Sequence, residues 1–194
     1  MKILKTSIDA FDEKVISEAI DVLSDGGIVL YPTDTVYGLG ANIFDDAAVR
    51  KVFEIKQRSA LKPLSILVSD VDSIDLVAKV STSQKEVISN YLPGPYTFIL
   101  KKQNIVPRKV TSGSSLVGVR VPDNAIACRL ASLFPITTTS ANLSDEDMLS
   151  SPCEILEQLD YEVDLAIDVG SIESKRASII IDYSDGNNFK IIRR

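Results

Sequence analysis

Lys56-Gln57-Arg58-Ser59-Ala60-Leu61-Lys62 places three cations in seven residues of a chain that is acidic overall. A guanidinium can grip two phosphate oxygens at once while ammonium groups act as point charges, so the cluster suits a polyphosphate. It would serve equally as a solvated helix end, where cations face the carbonyl dipole. A second segment, Tyr31-Pro32-Thr33-Asp34-Thr35-Val36-Tyr37-Gly38-Leu39-Gly40, carries hydroxyls at Thr33 and Thr35 and glycines that admit close backbone approach. It reads either as a holder of a small polar ligand or as a proline-initiated turn before a strand. Arg120 sits inside the apolar run Val117-Gly118-Val119-Arg120-Val121. A charge there is costly unless paired, so Arg120 needs a carboxylate, the protein's own or a ligand's. Thr137-Thr138-Thr139-Ser140-Ala141-Asn142 is a run of hydroxyls ending in an amide, fit for many weak hydrogen bonds or for capping turns. Lys175-Arg176-Ala177-Ser178 is a weaker basic patch that also reads as a solvated turn. The sequence contains no GxxxxGK[ST], GxGxxG or GxSxG.

These segments lie just past strand ends, where ligands gather in open α/β sheets. Apolar residues at helical spacing (Val15, Ile16, Ala19, Ile20, Val22, Leu23) predict a helix that stops at Asp25-Gly26-Gly27. Ile28 to Tyr31 is a continuous apolar strand of the kind buried on both faces. A helix then runs from Asp45 or Asp46 with Ala48, Val49, Val52, Phe53 and Ile55 inward, and Leu64 to Val68 is a strand. Two short helices are expected between Asp70 and Tyr91, the second capped by Ser83 with Glu86. Further strands are Tyr96 to Lys101, Val117 to Val121 and Ile136 to Thr139, with a helix from about Asn124 to Leu133. Ser151-Pro152-Cys153-Glu154 combines a capping serine, a first-turn proline and a third-position acid, which starts another helix. Leu165 to Val169, Ser178 to Asp182 and Phe189 to Arg193 close the chain as strands, the last two joined through Asp185-Gly186-Asn187. No linker or repeat interrupts the pattern, which reads as one α/β domain over residues 1–194, a twisted mixed parallel/antiparallel sheet flanked by helices.

Composition narrows the chemistry. Among 194 residues, 45% are apolar and 25% charged, the profile of an ordinary globular protein and not of a disordered chain or disulfide scaffold. With 27 acidic against 21 basic residues, the net charge of −6 excludes a whole-surface basic footprint for nucleic acid but leaves room for a local basic pocket. The chain has no histidine, which removes histidine triads, histidine metal sites and histidine pH switches. Cys128 and Cys153 form no CxxC pair and read as two reduced, buried thiols. The charged start Met1-Lys2-Ile3-Leu4-Lys5 supplies no signal-peptide core, and no apolar run reaches the roughly 20 residues that span a bilayer, so no membrane association and a cytoplasmic location are expected.

Taken in order, the segments GGIVLYPTDTVYGLGAN, KQR…KPL, LPGPYTFILKK, VGVRVPDN, TTSANLS and ASIIIDYS resemble the YrdC family of threonylcarbamoyl-AMP synthases. The resemblance runs from about Gly26 to Arg193 and includes the family's KxR and SxN signatures, here Lys56 with Arg58 and Ser140 with Asn142. It implies a nucleotidyltransferase that converts ATP, L-threonine and bicarbonate or CO2 to threonylcarbamoyl-AMP and pyrophosphate, with Mg2+ accompanying ATP and no protein-bound metal site. That product feeds threonylcarbamoyl modification of the adenosine after the tRNA anticodon through a separate transferase complex, and tRNA itself is a further partner to consider. By motif position, Thr35, Arg120 and Ser140 would contact L-threonine. Lys56, Arg58, Lys62, Asn142 and Ser178 would contact ATP, with Lys56 and Arg58 acting on the reacting phosphates.

The chain also departs from the family pattern. Leu67 stands where other members carry a polar residue, often His, and Leu116 where Thr is common. The loop Asp145-Glu146-Asp147-Met148-Leu149-Ser150 is longer and more acidic than the usual SG-x-x-SP. Two other readings share the resemblance: a YciO-like paralogue, and a double-stranded RNA or tRNA-binding module without synthase activity. The intact KxR and SxN pairs favour the synthase.

Overall fold

Most helices in this chain begin where a short polar side chain can take up the first unpaired amides. Asp12 accepts from the Lys14 amide to start α1 (Glu13–Ser24), and Asp45 accepts from the Ala47 and Ala48 amides to start α2 (Asp46–Ile55). The inner stripe of α2 is Ala48, Val49, Val52, Phe53 and Ile55, as its spacing predicts. A computed structural model describes residues 1–159, 161, 163–173 and 176–193, so Lys175 of the weak basic patch lies outside the described residues. The remaining helices are α3 (Ile74–Val77), α4 (Thr82–Ile88), α5 (Ala125–Leu130) and α6 (Pro152–Leu159).

Two helix ends differ from expectation, each for a physical reason. The capping box of α4 is Ser81 with Gln84, two residues before Ser83 with Glu86. The Gln84 side chain is buried, where its oxygen accepts from the Ser81 amide and its nitrogen donates to the Tyr183 carbonyl; the Glu86 side chain stays in solvent. An amide satisfied at both ends can be buried there, whereas a carboxylate would lose its hydration. Helix α5 stops at Leu130, where the Ala131 and Ser132 amides donate three residues back to Cys128 O and Arg129 O and tighten the last turn, leaving Leu133 70% exposed. By contrast, α6 starts as expected, with Ser151 and Glu154 exchanging bonds of 3.2 and 3.4 Å.

The strands form two mixed sheets. In the first, β1 (Lys2–Lys5), β9 (Leu165–Asp168), β2 (Val29–Tyr31) and β3 (Gly38–Gly40) lie in that order, with β1 and β2 parallel to β9 and β3 antiparallel to β2. The second runs β11 (Lys190–Arg193), β10 (Ile179–Asp182), β6 (Tyr96–Lys102), β7 (Leu116–Arg120), β4 (Ser65–Leu67), β8 (Ile136–Thr138), and the two-residue β5 (Ala78–Lys79) pairs with β6. The mixed parallel and antiparallel character read from the sequence is therefore present, divided between two sheets.

The sheets meet where β3 passes β8. Bridges join Gly38 to Ser140 and Asn42 to Ile136, and the Leu39 amide donates to the Thr139 carbonyl at 3.0 Å. Glycine is required here because the ring of the fully buried Tyr31 lies on the strand: a Cβ at Gly38 or Gly40 would come within 2.9 or 3.0 Å of it. Helices α1 and α5 pack an apolar face that includes Leu23, Leu130 and Ile167, while α2 and α6 belong to the larger core around Phe98 and Val119. The thiols differ from expectation: Cys128 is half-buried, but Cys153 is exposed on α6.

Candidate active site

Beside the seam between the sheets lies a cavity of about 520 Å³. Its wall includes parts of every segment singled out in the sequence. The wall itself is formed by Thr33, Arg58, Lys62, Arg120, Ser140 and Ser178, together with Thr97, Arg193 and the Thr138-Thr139 pair, among others.

One end is buried and internally paired. Arg120, the last residue of β7, is 5% exposed. Its guanidinium forms an ion pair with Asp34 and donates to Thr35 Oγ1 at 2.8 Å. The protein's own carboxylate thus supplies the anion that Arg120 requires. Pairing is still incomplete, since Arg120 Nε and Asp34 Oδ2 are buried without a hydrogen-bond partner. Thr33 is a turn former: its hydroxyl donates to the Val36 carbonyl at 2.6 Å and accepts from the Thr35 and Val36 amides. Thr35 is 3% exposed and stays behind the wall, touching Arg120. Beside them, Gly118 admits close approach, since a Cβ there would meet Ser65 Oγ at 2.7 Å.

The other end is built by the C-terminus of α2. Gln57 takes a left-handed conformation (φ 48°), the Gln57 amide donates to Glu54 O at 2.9 Å, and the Arg58 amide donates to Phe53 O at 2.9 Å. These are the two bonds of a Schellman cap, with Lys56 as the cap residue and Arg58 two positions beyond it. The cap sends the two cations to different places. Arg58 lines the cavity, braced by its own loop through Nε to Lys62 O (3.0 Å) and Nη2 to Pro63 O (2.9 Å). Lys62 also lines it and pairs with Asp145 at 3.1 Å across exposed surface.

Lys56 lies elsewhere than a phosphate ligand would. It is 2% exposed, and its Nζ donates to the carbonyls of Ser140 and Asn142 at 2.5 Å each and to Asn142 Oδ1 at 3.2 Å. Burial, with the Arg58 charge behind it, pulls its ammonium down to about 7. Asn142 is likewise turned inward: Oδ1 accepts from Ser140 Oγ at 2.6 Å, and Nδ2 donates to the Glu146 carbonyl at 2.7 Å. Ser178 reaches the wall and shares a 2.8 Å hydrogen bond with Thr97. Leu67 is fully buried in the smaller core and does not reach the wall, whereas Leu116 does.

Two participants were not picked out from sequence. Asp34 was within reach of inference, because a buried arginine demands an anion and Asp34 lies in the singled-out Thr33–Thr35 turn. Arg193, at the end of β11, gave no comparable signal; its guanidinium lines the cavity and donates to Ser178 O at 2.9 Å. Burial and then the charge of Arg120 lower its pKa, and Arg58 is lowered by burial and, despite Asp145, by Arg193. The cavity wall thus gathers Arg58, Arg120, Arg193 and Lys62, four cations in a protein that is acidic overall. Burial holds Tyr31 and Tyr37 at about 12 and Cys128 at about 11, so none is a base near neutrality. Among the described residues, no group of three or more Cys, Asp or Glu side chains could hold a metal ion, and no helix is long and apolar enough to cross a membrane.

An α/β fold of two joined mixed sheets with an arginine-rich cavity at their seam defines the class. Residues 21–194 match the Sua5/YciO/YrdC family, described as "Telomere recombination", and the chain belongs to that family. It is 40% identical over 173 residues to a putative threonylcarbamoyl-AMP synthase of Methanocaldococcus jannaschii, covering 89% of this chain and 82% of the relative. The crystal structure of Pyrococcus abyssi Sua5 complexed with L-threonine superposes with a TM-score of 0.91 at 33% identity; all of this chain is covered, but it spans only 57% of the Pyrococcus chain. Escherichia coli YciO superposes equally well, at 0.91 and 30% identity, over 96% of its own length.

Proposed function

We propose that this chain is a threonylcarbamoyl-AMP synthase, a nucleotidyltransferase joining L-threonine, CO2 and the adenylate of ATP. The observation that carries the proposal is the cavity with two unlike ends: a buried arginine able to meet a carboxylate, and arginines with a lysine able to meet a polyphosphate. The M. jannaschii relative's name and the L-threonine held by P. abyssi Sua5 support it.

Arg120 would take the carboxylate of L-threonine from the cavity wall that it shares with Ser140. The neutral amine of threonine adds to CO2, forming the N–C bond of a carbamate and releasing one proton. A carbamate oxygen then attacks the α-phosphorus of ATP; the bond to the bridging oxygen breaks, and pyrophosphate leaves with the electron pair. Arg58, Lys62 and Arg193 hold the phosphates and stabilise the departing charge, while Ser178 lies at the nucleotide side. Magnesium enters as part of the ATP substrate, bound through phosphates and water. The work is positioning and charge stabilisation, which fits a cavity without a histidine or an activated nucleophile. A tRNA-modifying transferase would consume the product.

Pyrophosphate release with MgATP and bicarbonate, with and without L-threonine, tests this directly. Release that requires both threonine and bicarbonate is expected. ATP hydrolysis indifferent to threonine, or no turnover, would place the chain with YciO-like or RNA-binding relatives instead.

A further inference from the structure

Lys56 lies two residues before Arg58 at the phosphate end of the cavity yet contributes nothing to its wall. An ammonium has three donors and no acceptor, and here each donor has an oxygen: Ser140 O, Asn142 O and Asn142 Oδ1. The backbone of the same residue adds a fourth tie, its carbonyl accepting from the Ser144 amide at 3.0 Å. The turn from Ser140 to Ser144 is therefore gripped from both sides of Lys56. Ser140 also bridges Gly38 across the seam, so a shift of this turn moves the junction of the two sheets. A phosphate could reach the Lys56 ammonium only by displacing these bonds.

We infer that Lys56 is a positioning residue: it staples the Ser140–Asn142 turn to the end of α2 and acts on the reaction through Ser140, without touching phosphate. The reason for the KxR spacing follows from the Schellman cap. The cap residue turns into the protein and holds the SxN turn, while the residue two positions on turns to the cavity and meets the substrate. The two signatures are then one structural device, an ammonium and the loop that supplies its acceptors.

The threonine readout of the test rests on the synthase proposal; the phosphate readout does not. Inorganic tripolyphosphate is the probe for the phosphate end, and Lys56→Met keeps the apolar stem while removing the donors. For Lys56→Met, tripolyphosphate affinity is expected to stay within about twofold of the parent, while kcat/KM for threonine falls by about 10²-fold, the effect of misplacing a contact by an ångström. Combined with Ser140→Ala, the loss should be far less than the product of the single effects, because both act through one contact. Arg58→Ala serves as the opposite case and should weaken tripolyphosphate about tenfold or more, as loss of a charge-assisted bond of about 1.5–3 kcal/mol requires. Lys56→Met weakening tripolyphosphate as Arg58→Ala does would overturn the inference, as would unchanged threonine kinetics. Should Lys56→Met fail to fold, NMR of the unmodified protein with 13C at lysine Cε decides: tripolyphosphate should shift the Lys62 resonance and leave that of Lys56 in place. A Lys56 shift on titration would make it a phosphate ligand.

Discussion

The ion pairs at the two ends of the cavity contrast in everything that sets their strength. The side chains of Arg120 and Asp34 are 7% and 10% exposed and sit where β7 ends, within a net of hydroxyls from Thr33 and Thr35. The side chains of Lys62 and Asp145 are 51% and 82% exposed and belong to loops, with Asp145 in a left-handed conformation at φ 71°. Breaking a buried pair by deleting one partner leaves an uncompensated charge and costs about 3–5 kcal/mol, whereas an exposed pair contributes about 0–1 kcal/mol. The Arg120 end is thus built into the fold before any ligand arrives. At the Lys62 end, an incoming anion could displace Asp145 at little cost.

Stability is the first place to break this contrast. Asp34→Ala should lower the free energy of unfolding by about 3–5 kcal/mol, and Lys62→Ala by less than about 1 kcal/mol, both read from urea titrations. Equal losses would erase the distinction. Catalysis reverses the order of importance: Arg58→Ala should reduce turnover about 10²–10³-fold, the usual cost of removing one donor from a developing charge. A rate close to that of the parent would remove Arg58 from the phosphate site. Asp145→Ala frees Lys62 and should lower the KM for ATP by no more than about fivefold, the equivalent of a surface pair worth up to about 1 kcal/mol. That gain should fade as salt is raised; a gain indifferent to salt would mean that Asp145 acts in another way.

The smallest effect sharpens the buried end. Burial, with the carboxylates of Asp34, Asp70 and Asp123 behind it, holds the Cys128 thiol at about 11, while Cys153 stands exposed. At pH 8, iodoacetamide should label Cys153 first and Cys128 slowly, and Arg120→Gln should speed only the second by loosening the packing around Asp34. Equal rates in the parent would show that the buried end is open.

The sequence made the positions of chemistry legible more readily than their directions. Strand and helix order followed from periodicity, and α6 began at Ser151 because its capping box is entirely local. The start of α4 was not local: Gln84 prevails over Glu86 because Tyr183, nearly a hundred residues away, accepts from its amide. The same distinction holds in the site. Arg120 signalled its need for an anion from within an apolar run, and Asp34 meets it. Lys56 and Arg58 read alike as cations, since nothing in three letters of sequence says that the first turns inward to carbonyls and the second outward to the cavity. Arg193 remained hidden because its place depends on the pairing of β11 with β10, which carries the strand end to Ser178.

The division of the cavity is tested most directly by measuring KM for threonine and for ATP in Arg120→Lys and Arg58→Ala side by side. Arg120→Lys keeps the charge beside Asp34 and loses the guanidinium fork, so the buried pair survives while recognition changes. KM for threonine should rise in Arg120→Lys with KM for ATP little changed, and the reverse should hold in Arg58→Ala. Both variants raising both constants alike would contradict a cavity with separate amino-acid and phosphate ends.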